Sequence, residues 1–517
     1  MAENRPKDDG EGQPGGPRRP APGRSGGRGG SRDRGHRPST QRTVKRPAER
    51  ARTGDPARRA AYDVLRAVAG SDAYANLVLP HLLNERRISG RDAGFATELA
   101  YGTLRLQGRY DAIIARASSR PTDKLDPEVL DVLRLGAHQL LGMRVPAHAA
   151  VSETVALARH VRGTGPSQLV NAVLRRISER ELGDWLDLIG GEAEDETARL
   201  AVVHSHPLWV VRALRQALSQ TADGAGDLER LLEADNAAPA VSLVVRPGLA
   251  EPDEVDGAAP GRWARTALTL PGGDPGALAA VREGRIGVQD EGSQLVTLVA
   301  AAVPLEGPDS TWLDLCAGPG GKAALLAALL AERNPAGTFV AERNPAGTFV
   351  ANEVAPHRAR LVERALAPVR DRADIEIRTG DGRSLGEQEE GRYDRVLVDA
   401  PCTGLGALRR RPESRWRRTP QDLTALGPLQ RDLLTSALHA TRPGGVVAYV
   451  TCSPHLAETR FVVEDVLRKF PTAVVLDAVE ALQGVAAEPL PGLGGPYVQL
   501  WPHRHGTDAM FLALIRR

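Results

Sequence analysis

Three cysteines are the residues of this 517-residue chain whose type and placement could do covalent chemistry. Cys316 lies in LDLCAGPGGK, Cys402 in VLVDAPCTGLG and Cys452 in VAYVTCSPH, each after a short apolar run that predicts a strand. A cysteine at a strand end usually packs as a small apolar residue, and we interpret Cys316 in that way. Cys402 and Cys452 end predicted strands beside a candidate ligand cleft, where a thiolate could act as a nucleophile. The residues alone leave open which of the two does so.

A glycine-rich stretch at 316–322 follows the first of these strands and opens a predicted helix. Glycine lets the backbone pass close to a ligand at a helix N-terminus. The stretch is not a P-loop, because its glycine spacing is shorter and Ala323 replaces the hydroxyl residue, and it is not the G-x-G-x-x-G dinucleotide motif. The residues expected to line a ligand here are Cys316 through its backbone, Ala317, Gly318, Pro319, Gly320, Gly321 and Lys322.

Acidic residues end the next three predicted strands: Glu353, Asp381 and Asp399. Glu353 could accept both ribose hydroxyls of an adenosine ligand, and Asp381 could accept the adenine amino group. Each residue alone has an alternative role as a turn or helix-cap residue. Three of them in register with a glycine-rich loop favour a cofactor that contains adenosine.

A basic segment, residues 409–418, follows Cys402 and contains six arginines. Arginine binds phosphate through two parallel hydrogen bonds, and tryptophan can stack on an unstacked base. We therefore predict an RNA-binding rim formed by Arg409, Arg410, Arg411, Arg415 and Trp416. The alternative is a solvated loop.

The elements that must position these residues are predicted to fall into four regions. Residues 1–55 form a Gly/Arg/Pro-rich tail that we expect to be disordered, because it has few apolar side chains to bury. The first 60 residues carry sixteen Lys and Arg against seven Asp and Glu, which could attract RNA or simply aid solubility. Residues 56–195 show helical periodicity and predict a bundle, and residues 196–290 predict a linker subdomain.

Residues 291–517 alternate short β-branched runs with helical stretches, which predicts a Rossmann-like α/β domain with a parallel sheet covered on both faces. The decapeptide AERNPAGTFV occurs twice in tandem, at 331–340 and 341–350. We expect the later copy to supply the second strand, because it leads directly into ANEV. The closing segment, VQLWPHRHGTDAMFLALIRR, predicts two strands at an antiparallel edge of the sheet.

Composition narrows the class of protein. Three cysteines without a dense spacing pattern indicate free thiols in a reducing cytosol, so a cytoplasmic protein is expected. The longest apolar runs are too short for a membrane span, and no secretory leader is seen. We expect neither a membrane partner nor a metal site.

Three motifs resemble those of the NOL1/NOP2/Sun family of RNA cytosine-5 methyltransferases: DLCAGPGGK, DRVLVDAPCTGLGALRRRPE and YVTCSPHLAE. The helical region resembles the NusB fold, notably in RDAGFATELAYGTLR and LVNAVLRRI. The pairing is similar to the RsmB (Sun/Fmu) type, which modifies small-subunit (16S) ribosomal RNA. This resemblance implies a NusB-like helical bundle that binds RNA, followed by a methyltransferase domain with S-adenosyl-L-methionine as cofactor.

The resemblance also implies roles for the site residues. Cys452 would add to C6 of a cytosine, and Cys402 would assist release of the covalent product. Asp399 would hydrogen-bond the amino and N3 edge of the base, besides lining the cofactor site. Reaching C5 and C6 requires an unstacked base, so the target would lie in a loop or be flipped out. Glu458 is followed by Thr459, where the family commonly has Glu-Asn.

Two alternatives remain open at the level of sequence. The chain could be a non-catalytic RNA-binding or ribosome-assembly factor that retains the methyltransferase fold. It could also be a methyltransferase that acts on DNA, protein or a small molecule.

Overall fold

The computed structural model describes residues 55–71, 73–221, 224–333 and 347–517. Apart from Asp55, the predicted tail lies outside the described residues, and so does most of the first copy of the decapeptide.

Eight α-helices form one bundle in the described residues up to 191. They are α1 (Pro56–Gly70), α2 (Ala75–Glu85), α3 (Gly90–Arg105), α4 (Gln107–Ser118), α5 (Pro127–Leu141), α6 (Ala147–Arg162), α7 (Thr164–Ile177) and α8 (Leu182–Gly191). Asp55 and Asp126 cap α1 and α5 through their carboxylates, and each is followed by proline at the first helical position. The apolar faces of the helices meet in one buried core that includes Leu99, Leu133 and Val173.

A smaller region joins the bundle to the last domain. It contains helices α9 (Glu196–Val203), α10 (Leu208–Leu218), α11 (Leu228–Asn236) and α12 (Ala279–Arg282), and strands β1 (Val241–Val245), β2 (Ala259–Pro260), β3 (Ala267–Leu270) and β4 (Ile286–Val288). The strands form an antiparallel sheet in the order β2-β3-β1-β4.

The last region is a mixed eight-stranded sheet covered by helices. Its strands are β5 (Thr311–Asp314), β6 (Thr348–Asn352), β7 (Asp374–Arg378), β8 (Tyr393–Asp399), β9 (Thr441–Thr451), β10 (Val474–Leu476), β11 (Val498–Gln499) and β12 (Phe511–Arg516). Its helices are α13 (Glu291–Ala302), α14 (Gly321–Arg333), α15 (Pro356–Leu366), α16 (Leu385–Gln388), α17 (Ser414–Arg417), α18 (Pro420–Ala440), α19 (Arg460–Leu467), α20 (Ala478–Val485) and α21 (Pro502–His505). The order is β10-β12-β9-β8-β5-β6-β7, with β11 beside β12, and β5 to β9 are parallel.

Alternate residues of the central strands enter two different cores. Trp312 and Phe349 belong to the core that includes α13, α14 and α20, whereas Leu313 and Val350 belong to the core that includes α18 and α19. This period of two is the reason that both faces of the sheet need helices. The predicted α/β class with an all-α bundle before it is confirmed.

The predicted strand assignments hold except at one edge. The later decapeptide copy supplies β6, where Thr348 pairs with Thr311 of β5. The closing segment supplies two antiparallel strands on this side of the sheet, β11 and β12, as predicted. β12 itself is not the outermost strand, because β10 and β11 pair with it on the side away from β9, and the three-residue strand β10 was missed because it is too short to show a clear pattern in the sequence.

Neither a membrane-crossing helix nor a metal-binding cluster occurs in the described parts of the chain. No helix there is long and apolar enough to cross a membrane. No group of three or more His, Cys, Asp or Glu side chains there is arranged to hold a metal ion.

Candidate active site

The carboxyl ends of the parallel strands bring the predicted site residues to one edge of the sheet. Strand β5 ends at Asp314 and leads into the glycine-rich stretch, while β6 leads into Glu353. Strand β8 ends at Asp399, which lies opposite Val450 of the neighbouring strand β9. A crevice outside the carboxyl ends of the strands is the usual ligand site in open α/β sheets.

Cys402 and Cys452 are in contact. Their sulfur atoms lie 3.4 Å apart, and both thiols are free. The hydrogen bond from the Cys402 thiol lowers the pKa of Cys452, with additional help from Lys322 and Arg411, against the effects of burial and Asp399. The same hydrogen bond, together with burial, holds the pKa of Cys402 well above its usual range. The geometry lets one thiol of the pair donate a hydrogen bond to the other as a thiolate, and the directions of the two pKa shifts favour Cys452 as the thiolate.

Cys316 is placed as a packing residue. It lies against the core that includes α18, and burial holds the pKa of its thiol well above its usual range. Its backbone N–H donates to Asp314 Oδ1 at 3.3 Å.

Lys322 and Asp399 form an ion pair beside the cysteines. Lys322 Nζ lies 2.8 Å from Asp399 Oδ2. Burial opposes the charged ammonium, but the adjacent Asp399 carboxylate outweighs it, so that the pKa of Lys322 is raised. Lys322 was predicted only as a residue of the cofactor loop, because its partner is distant in the chain.

The glycine-rich loop is tied to the end of β6. The Gly318 N–H donates to Glu353 Oε2 at 3.0 Å, and the Ala317 N–H donates to the Asn352 carbonyl at 2.8 Å. A Cβ atom at Gly318 would lie only 2.1 Å from Glu353 Oε2, so a larger residue here would displace the Glu353 carboxylate. Pro319 follows in a cis peptide bond, after which Gly320 adopts a φ of 112°. Gly321 begins α14, as predicted.

Asp314 is a residue that the sequence analysis did not assign. It is fully buried, and its Oδ2 atom has no hydrogen-bond partner among the described residues. Burial and then the charge of Asp399 raise its pKa to about 8, although Lys322 acts in the opposite direction. An acidic residue inside the apolar run TWLDLCA is the signal that could have identified it.

Asp381 has the contacts of a capping residue. It accepts a hydrogen bond from the Arg383 N–H at 3.0 Å and pairs with the Arg383 guanidinium at 2.6 Å. These hydrogen bonds lower the pKa of its carboxyl. The structure thus gives this residue the turn-cap role that the sequence analysis named as its alternative.

Part of the basic segment packs inside the protein. The prediction of an RNA-binding rim is therefore wrong for its buried residues Arg409 and Arg415. Arg415 is fully buried and donates to the carbonyls of Arg105 and Ser205 and to Asn236 Oδ1, at 3.2, 3.1 and 2.7 Å. A Cβ at Gly108 of α4 would lie 2.3 Å from the Trp416 ring, so this ring packs on the bundle.

The other arginines of the segment also have protein partners. Arg409, which is buried, and Arg410 form ion pairs with Asp290 and Asp508. The Arg411 guanidinium lies 5.2 Å from the centre of the Tyr74 ring. The pattern was misread for the buried Arg409 and Arg415, because their partners come from parts of the chain remote in sequence, whereas Arg411 is exposed and its predicted contact with RNA stays a prediction.

Comparisons with known proteins agree with this architecture. Residues 303–516 match the family model described as 16S rRNA methyltransferase RsmB/F, and residues 55–179 match the NusB family. The Mycobacterium tuberculosis protein Rv1407 is 50% identical over 480 residues, 92% of this chain and 99% of that protein. The ribosomal RNA small subunit methyltransferase B of Pseudomonas putida is 33% identical over 474 residues, 88% of this chain and 97% of that protein.

A solved structure shares the fold across both parts of the chain. The crystal structure of PH0851 aligns with a TM-score of 0.71 at 22% identity and covers 92% of this chain and 100% of its own. The resemblance stated from the motifs is confirmed by the family models and by relatives that span nearly the whole length. This chain belongs to the RsmB/F family of 16S rRNA methyltransferases.

Proposed function

We propose that this protein methylates C5 of a cytosine in small-subunit ribosomal RNA, in the cytoplasm. The observation that carries the chemistry is the contact of Cys402 with Cys452 at 3.4 Å, in which one thiol supports the other as a thiolate. C5 of cytosine is a poor nucleophile until a thiolate has added to C6. The choice of RNA is supported by relatives such as the Pseudomonas putida enzyme, whose name states small-subunit ribosomal RNA.

In this proposal Cys452 forms a bond from its sulfur to C6, and the electron pair displaced from the ring makes C5 nucleophilic. After C5 has been methylated, a base, which solvent water can supply, takes the C5 proton. The C5–H electron pair forms the C5–C6 double bond as the C6–S bond breaks, and the electron pair of that bond returns to Cys452. Cys402 assists this release by donating its S–H to the departing sulfur, which is its hydrogen-bond partner in the structure.

Asp399 of the Lys322–Asp399 pair would hold the base, and Lys322 would balance the negative charge that develops on the ring. Asp399 ends the strand that leads to Cys402, and it is expected to accept a hydrogen bond from the cytosine amino group. Lys322 places an ammonium beside this carboxylate and lowers the pKa of Cys452. A fixed positive charge next to the ring would also stabilise the electron density that thiolate addition pushes into it.

The residues around the glycine-rich loop fit S-adenosylmethionine. The carboxyl groups of Asp314, Glu353 and Asp399 crowd into one site, and burial together with this crowding raises the pKa of Asp314, one of whose oxygens has no partner among the described residues. A cationic ligand would relieve this crowding. S-adenosylmethionine supplies an electrophilic methyl group on a positively charged sulfur. Glu353 and the close backbone at Gly318 would hold its adenosine part, whereas Asp381 is a weaker candidate because it already caps a turn.

The test is covalent trapping with RNA that contains 5-fluorocytosine, whose C5 fluorine cannot leave as a proton does. Incubation with S-adenosylmethionine should give a denaturant-resistant complex with the wild-type protein and with Cys316→Ser, but not with Cys452→Ser. Failure of the wild-type protein to be trapped would favour a non-catalytic RNA-binding factor. Trapping on DNA of the same sequence would favour a DNA substrate, and bisulfite sequencing of ribosomal RNA with and without the gene would locate the base.

A further inference from the structure

We propose that Glu458 is a positioning residue that holds the turn carrying Cys402 against the turn carrying Cys452. This inference rests on the roles proposed above for the two cysteines. It concerns a side chain that hydrogen-bonds to the residue following each cysteine, Thr403 and Ser453.

The carboxylate of Glu458 bridges the two turns. Its Oε1 accepts the backbone N–H of Thr403 at 2.7 Å, and its Oε2 accepts the hydroxyl of Ser453 at 2.7 Å. Oε2 also accepts the Thr403 hydroxyl, and the two hydroxyl oxygens lie 3.2 Å apart. Because Thr403 follows Cys402 and Ser453 follows Cys452, one carboxylate sets the spacing of both turns.

A glutamine completes the arrangement from α18. Gln430 Nε2 donates to Glu458 Oε1 at 3.2 Å and to the carbonyl of Pro401, which precedes Cys402, at 2.8 Å. The Tyr449 hydroxyl donates to the backbone carbonyl of Glu458 at 2.9 Å and fixes the main chain of the bridge. Cys402 is thus held on both sides by groups that lead to Glu458.

The bridge is costly to bury, which argues that it does more than pack. Glu458 has no exposed surface, and its four donors are neutral hydroxyl and amide groups rather than cations. A buried carboxylate is tolerated when its oxygens accept such hydrogen bonds, and it then holds their donors in a defined geometry. An apolar side chain could fill the same space without tying the two turns together.

The charge of Glu458 also bears on which thiol keeps its proton. The pKa of Cys402 is raised by its hydrogen bond to Cys452, by burial, and by the charges of Cys452, Glu458 and Asp399. The largest influences on the pKa of Cys452 are the hydrogen bond of Cys402, burial, Asp399, Lys322 and Arg411. Glu458 therefore favours the arrangement in which Cys402 donates and Cys452 accepts.

The experiment compares the reactivity of the two thiols in the folded protein without RNA or methyl donor. Wild type, Glu458→Gln and Glu458→Asp are treated with iodoacetamide near neutral pH, and the modified peptides are quantified by mass spectrometry. We expect the ratio of Cys452 to Cys402 modification to fall about tenfold in Glu458→Gln, the scale of one lost charge-assisted hydrogen bond. Glu458→Asp keeps the charge, so the ratio should fall less than in Glu458→Gln. Glu464→Gln, a more exposed glutamate of α19, is the matched control that should leave it unchanged.

The outcomes separate this proposal from the proposed function. An unchanged ratio in folded Glu458→Gln would overturn the positioning role, whatever the protein does to RNA. Failure of the wild-type protein to trap 5-fluorocytosine RNA would overturn the proposed function, while the thiol ratio would still decide about Glu458. If Glu458→Gln does not fold, Ser453→Ala and Thr403→Val each remove one bonded hydroxyl, and the proposal then requires a smaller fall in the ratio in both variants.

Discussion

The sulfur of Cys402 lies 3.4 Å from the sulfur of Cys452, although 50 positions separate them in the chain. Neighbouring parallel strands create this relationship, because β8 and β9 run in register and each ends just before its cysteine. Two thiols at this distance share one proton more readily than they lose two. The pair therefore acts as a unit in the predictions that follow.

Replacing Cys402 with alanine is expected to trap the enzyme on its product. Without the S–H donor, the departing Cys452 sulfur is stabilised less, so the break of the C6–S bond slows. With ordinary cytosine RNA and S-adenosylmethionine, a covalent protein–RNA complex should accumulate and be visible on a denaturing gel. The variants Cys316→Ala and Cys452→Ala are the controls, since the first should turn over normally and the second should form no complex. Release by Cys402→Ala at the wild-type rate would contradict the role given to this thiol.

Replacing Asp314 with asparagine is expected to change how stability depends on pH. Burial, followed by the charge of Asp399, raises the pKa of Asp314 in the folded protein from 3.8 to about 8. Between these values the unfolded chain has released a proton that the folded protein keeps, so the wild type loses stability relative to the variant as pH rises. The melting temperature of the variant minus that of the wild type, both measured without methyl donor, should increase from about pH 4 to about pH 8 and then level off. A difference that stays constant with pH would show that Asp314 is ionised throughout.

The same variant should bind S-adenosylmethionine more weakly. The unpartnered carboxyl oxygen of Asp314 is the group proposed to face the cationic part of the ligand, and an amide cannot supply its charge. Calorimetry should also show that the wild type releases a proton on binding near neutral pH, and that Asp314→Asn does not. Equal affinity and equal proton release in both proteins would remove Asp314 from the ligand site.

Replacing Arg415 with alanine is expected to destabilise the protein without altering the salt dependence of RNA binding. The change leaves buried carbonyls of Arg105, Ser205 and Asp235 without this donor, at a cost on the order of 3–5 kcal/mol. Urea unfolding measures this loss, and Arg468→Ala, on the exposed surface of the domain, should cause little change. A stable Arg415→Ala protein whose RNA affinity depends less steeply on salt concentration would instead show that this arginine contacts phosphate.

Deleting residues 331–340, one copy of the duplicated decapeptide, is expected to leave the fold and the affinity for S-adenosylmethionine unchanged. The deletion preserves residues 348–352, which pair with β5 and β7, and the same ten residues still precede ANEV. Thermal melting and calorimetry check this result. Val350→Asp, which buries a charge in β6, is the control that should lose both stability and binding. A deletion variant that behaves like this control would show that the second copy is required.

Local patterns in the sequence determined much of this protein. The alternation of strands and helices, the glycine-rich turn and the acidic and cysteine residues at strand ends depend on neighbours within a few positions, and such neighbours set backbone conformation. These patterns predicted the two domain types, the family and the later decapeptide copy as β6, and they singled out Cys402 and Cys452 as the candidate reactive residues.

Only the tertiary structure decided which side chains meet. The ion pair of Lys322 with Asp399, the unpartnered oxygen of Asp314 and the bridge through Glu458 join residues from different strands and turns. Arg415 shows the limit most clearly, because an arginine looks the same in the sequence whether it reaches solvent or a ring of carbonyls from another domain. Burial and long-range contact are properties of the packed molecule, and neither is encoded in the spacing of nearby residues.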